Sequence, residues 1–174
     1  MRALLLVAML AATSSALEAQ DHRLQGRLDT ATLRSVTEYI DSSQAAGIPQ
    51  EPLVQKALEG ASKGATGDRI LAAVRNLGST MRTARQALGA ASSEREIIAG
   101  AAALRAGAAP DELADLRRAR GANLEVPLAV LADLVGLGVQ VENAYRSVLD
   151  LARNRAPDAD FIRLKERCLE NQRP

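Results

Sequence analysis

The stretch RILAAVRNLGSTMRTARQAL (residues 69–88) decides the fold class. Ile70, Val74, Leu77, Met81, Ala84 and Leu88 recur along it at alternating steps of four and three. With about 3.6 residues per turn, that spacing keeps all six on one stripe of a helix, whereas a strand would scatter them over both faces. Thr66 and Asp68 stand at its start, where an oxygen can take up free N–H groups, and Gly89 follows its end.

Working outward, the same pattern recurs with short punctuation. Upstream, Leu33, Val36 and Ile40 mark a helix from Asp29 to Ala46, capped by Asp29 or Thr30. AGIP (residues 46–49) ends it at Gly47, and Leu53, Ala57 and Leu58 mark a short second helix that stops at Gly60. Downstream, Ser93-Glu94-Arg95-Glu96 reads as a capping box for a helix that buries Ile97, Ala101 and Leu104 and stops at Gly107. Pro110 opens a helix with Leu113 and Leu116, closed by Gly121. Pro127 opens another with Leu128, Leu131 and Val135, closed by Gly136 or Gly138. Val141, Ala144, Val148 and Leu151 mark the next, and Pro157 opens the last, with Phe161, Leu164 and Cys168 inside.

Two blocks, APDELADLRRARG (109–121) and APDADFIRLKERC (156–168), place acids first and bases last. Proline is tolerated where a helix begins because its missing N–H would be unpaired there. Acids suit the positive N-terminus and bases the negative C-terminus, at about 0.3–1 kcal/mol each. The blocks therefore read as helix punctuation. A shift of 91 residues loosely aligns Gly47-Ile48 with Gly138-Val139, Glu51 with Glu142 and Ile70 with Phe161. The expectation is an all-α protein of about seven or eight short helices in antiparallel hairpins, forming an α-solenoid-like array or an irregular helical bundle. One helical domain would span residues 29–174, behind a polar, disordered leader at 20–28.

Composition narrows the partners. Alanine supplies 34 of 174 residues, and only Tyr39, Tyr145 and Phe161 are aromatic, so base or sugar stacking has few platforms. The 22 basic and 21 acidic residues are interspersed, and no basic stripe for nucleic acid appears.

The opening MRALLLVAMLAATSSALEAQ (residues 1–20) has a positive charge at Arg2, an apolar run from Ala3 to Ala12 and then small polar residues. Ten apolar residues cannot cross about 30 Å of hydrocarbon, so this predicts a signal peptide over residues 1–19, cut after Ala19, with Ala16 the other possible cleavage point. The mature chain would be periplasmic or secreted, without a membrane span. Its single cysteine, Cys168, excludes an intrachain disulfide. Cys168 falls on the face of Phe161 and Leu164, where a buried and inert thiol is expected; a disulfide-linked homodimer is the alternative.

At AAGIPQEPLVQKALEGASKGATGDRILAAVRNL (residues 45–77) the chain resembles a group of bacterial exported α-helical proteins. Their shared pattern is a Gly-hydrophobic-Pro turn, a helix ending Leu-Glu-Gly, then Lys-Gly and another helix. LRAGAAPDELADLRRARG and VPLAVLADLVGLGV are similar to the rest of that group. The resemblance implies a helical, exported protein and no activity, cofactor or site residue.

Candidate chemistry is thin. GASKGATG (60–67) leads into a helix and could cradle phosphate, but Lys63 precedes Gly64 and a helix comes before, unlike a P-loop; an interhelical turn is expected. Lys56, Glu59 and Lys63 share one helix face and, with Glu51, form a candidate contact ridge; Arg117, Arg118 and Arg120 form a second patch. A glycosidase would need one acid in an apolar setting with a second about 5–10 Å away. Glu51, Glu142, Glu38, Glu59, Glu94 and Glu96 are available, and none lies in a run that forces burial. His22 is the only histidine, so no metal site or Ser/His/Asp triad can be written. The sequence points to a non-enzymatic exported binding or scaffold module without a cofactor, with an envelope hydrolase using Glu carboxylates or a carrier of a small apolar ligand as alternatives.

Overall fold

Asp29 decides between the two candidate caps of the first helix. Its Oδ1 accepts the N–H groups of Ala31 and Thr32 at 3.0 Å, and its Oδ2 accepts the Thr32 hydroxyl at 2.6 Å. Helix α1 (Thr30–Ala45) follows in a computed structural model that describes residues 22–171. The expected signal peptide and its cleavage points lie outside the described residues. After α1 come α2 (Glu51–Ser62), α3 (Gly67–Leu88), α4 (Glu94–Ala106), α5 (Pro110–Arg120), α6 (Glu125–Gly136), α7 (Val141–Arg153) and α8 (Asp158–Asn171). The chain is all-α: no strand interrupts the series among the described residues, and none of these helices is long and apolar enough to cross a membrane.

Five of the predicted glycine stops, Gly47, Gly89, Gly107, Gly121 and Gly138, have positive φ, where a side chain would be strained. The stop expected at Gly60 is corrected: α2 runs through it to Ser62, and the left-handed turn comes at Gly64. Helix α7 ends without one, and Arg155 takes the left-handed conformation instead, at φ 51.

Contacts divide the described chain into two compact units. The first holds residues 22–44 and Gln50–Arg75, hence α1, α2 and the start of α3. Leu24, Val36, Ile40, Leu53, Val54, Ile70 and Val74 form its core. Helix α3 starts hard against α1, since a Cβ at Gly67 would run into Thr32 Oγ1. Tyr39 donates to the Arg75 carbonyl at 3.1 Å. The leader differs from its expected disorder: residues 22–24 are helical and Leu24 is fully buried. Leu24 supplies an apolar anchor in an otherwise polar segment.

The second unit holds Ala45–Pro49 and residues 76–171. Helices α4, α6 and α8 pack in succession, α5 packs on α7, and α6 also contacts α7. Met81, Ile97, Leu113, Leu116, Leu128, Leu131, Leu134 and Phe161 fill the core. Gly100 lets α4 approach closely, because a Cβ there would stand 3.0 Å from Leu88 Cδ1 and 3.2 Å from Ala84 Cβ. Cys168 departs from expectation: it is free but only half-buried, because α8 is less covered beyond Phe161.

Candidate functional site

The α2 ridge lies wholly in the first unit. Glu51, in the first turn, accepts both terminal nitrogens of Arg23 at 2.9 and 2.8 Å and the Gln55 amide at 2.8 Å. These bonds, Arg23 first and Gln55 second, pull its carboxyl down to about 2. Glu59 accepts Lys56 and Lys63, each at 2.5 Å, and these two lysines likewise hold it at about 2. The expected Lys56–Glu59–Lys63 cluster is therefore brought together as a closed ion-pair set. Glu51 belongs to a separate pair with Arg23 that no local signature announced, the two being 28 positions apart. Beside the ridge an open groove of about 620 Å³ is lined by His22, Arg23, Arg27, Gln55, Leu58 and Glu59.

The glycine-rich loop spends its backbone donors on its own helix. Lys63 N–H goes to Glu59 O, Gly64 N–H to Ala61 O and Ala65 N–H to Gly60 O. These bonds terminate α2, so those three N–H groups are not free to cradle an anion.

In the second unit the three arginines have three different fates. Arg117 donates to Gly121 O at 2.6 Å and pairs with Glu96 at 2.9 Å, and its side chain is mostly buried. Arg120 donates to Ala156 O and to Asp158 Oδ1, each at 2.6 Å, and its guanidinium lies 4.9 Å above the Phe161 ring. Only Arg118 stands out in solvent, paired with Asp115 one turn away. The basic end of the first acid-to-base block thus clamps the acidic start of the second.

Glu96 is the buried carboxylate of the molecule's described part. It completes the expected capping box, accepting Ser93 N–H at 2.9 Å while Ser93 Oγ accepts Glu96 N–H at 3.2 Å. Its other oxygen accepts Leu124 N–H at 3.0 Å, which fastens the α5–α6 connection to the head of α4. Desolvation pushes its carboxyl up, but the bonds from Leu124, Arg117 and Ser93 together outweigh it, and the net shift is downward. The capping box was visible in the sequence; the reach to Leu124 and Arg117 was not.

The remaining feature is apolar. Ile98 at 41%, Ile162 at 46% and Leu169 at 38% are the exposed large hydrophobic side chains among the described residues. Ile98 stands on α4, the other two on α8, and α6 packs against both helices. Between α4 and α6 runs an open groove of about 330 Å³, floored by Ala99, Ala102, Ala129 and Ala132 beside Ile98. Arg95 and Glu125 border it 3.7 Å apart, and Asp133 on its wall pairs with Lys165 of α8 at 2.7 Å. The spacing puts Ile97 inward, and Ile97 is buried; that Ile98 beside it borders a groove depends on how α6 packs against α4.

Among the described residues no group of three or more His, Cys, Asp or Glu side chains could hold a metal ion. Comparison with protein-family models, with curated proteins and with solved structures finds no match to this chain.

Proposed function

We propose that the chain is an exported, non-enzymatic helical protein that binds another protein chain, as a binding or scaffold module of the cell envelope. The observation that carries this reading is exposed Ile98 beside an alanine-lined groove between α4 and α6 that charged side chains border, with Ile162 and Leu169 exposed on α8. An apolar patch with a polar rim is the usual form of a protein contact surface. Glu51, Glu59 and Glu96 are each held below the ordinary carboxylate range by partners. That state serves ion pairing, whereas a general acid needs a raised value. Export is supported by the apolar run at residues 3–12 behind Arg2.

Affinity capture tests the reading. Native envelope extract is passed over the immobilised protein, over Ile98→Asp, and over the double reversal Lys56→Glu/Lys63→Glu, with retained proteins identified by mass spectrometry. The expected result is one specific protein, which can be this chain itself, lost with Ile98→Asp. Loss only with the lysine reversal would move the contact surface to the α2 ridge. An empty column would refute the reading.

A further inference from the structure

We draw no further inference here: the strongest candidate, the alanine-lined groove between α4 and α6 beside exposed Ile98, is an unpartnered apolar face of the site already described, and nothing in the structure shows what covers it.

Discussion

Replacing Glu96 by glutamine changes one oxygen to an amide nitrogen and removes one charge from a buried position. The carboxylate accepts the N–H groups of Ser93 and Leu124 and forms an ion pair with the Arg117 guanidinium. An amide can accept on one side only. Whichever way it turns, its NH2 faces a donor, leaving either Leu124 N–H or the Ser93–Arg117 side without an acceptor. A hydrogen bond to a charged group is worth about 1.5–3 kcal/mol, and breaking a buried ion pair costs about 3–5. These losses overlap, so Glu96→Gln should destabilise by about 3–4 kcal/mol at pH 7. At about 2–4 °C per kcal/mol for a chain of this size, Tm falls by roughly 10 °C. Thermal unfolding by circular dichroism measures it, with exposed Glu94→Gln as a control expected to stay within about 0.5 kcal/mol. The difference must also depend on pH. Because the folded carboxyl sits below its unfolded value, the unfolded chain binds the proton more readily as pH falls. The stabilisation is full above the unfolded value, about 4.3, and is lost as pH drops through the lower folded one. The gap between wild type and Glu96→Gln should therefore narrow in acid. A loss under about 1 kcal/mol at pH 7, or one that does not change with pH, would refute the clamp.

Gly67→Ala should cost about 1–3 kcal/mol in urea unfolding, because the new methyl meets Thr32, and part of that cost should disappear in a Thr32→Ala background. Equal losses in both backgrounds would mean that the close approach of α3 to α1 is not what fixes glycine there. Arg155→Gly should raise stability by about 0.5–1 kcal/mol, since it relieves a left-handed residue at the end of α7; a lower Tm would count against it. Arg120→Ala should cost about 2–4 kcal/mol by stripping Ala156 O of its donor and Phe161 of its stacked cation, while Arg118→Ala stays within about 0.5. Similar losses for both arginines would sink the distinction between clamp and solvated pair.

What the sequence showed and what it hid divide by distance along the chain. Helix starts and stops were legible because they are local: Asp29, the Ser93–Glu96 box, Pro110, and glycines from Gly47 to Gly138 act within one turn of where they stand. The inward face was legible to within one residue. Leu33, Leu77, Leu104 and Leu151 are only half-buried, while their neighbours Thr32, Gly78, Ala103 and Ala152 are buried. At these four places the closest helix contact is made by a small residue and the leucine beside it stands at the margin of the seam, although Leu113, Leu116, Leu128, Leu131 and Leu134 fill the core elsewhere.

The candidate site was the less legible part because its decisive pairs are long-range. Arg23 meets Glu51 over 28 positions, Glu96 meets Leu124 over 28, and Arg120 meets Ala156 over 36. Nothing in the local run around either partner selects the other. The two acid-to-base blocks show what this means. Read singly, each is a helix with its charges matched to its own dipole, and Arg120 is the last of several bases at a C-terminus. Folded, Arg120 stacks on the single phenylalanine and fills the carbonyl and the carboxylate that open the next block. Arg118, of the same type and two positions earlier, pairs only with Asp115 on its own helix. Residue type and dipole position are the same for both; helix phase differs, and phase decides which arginine is structural and which is left at the surface.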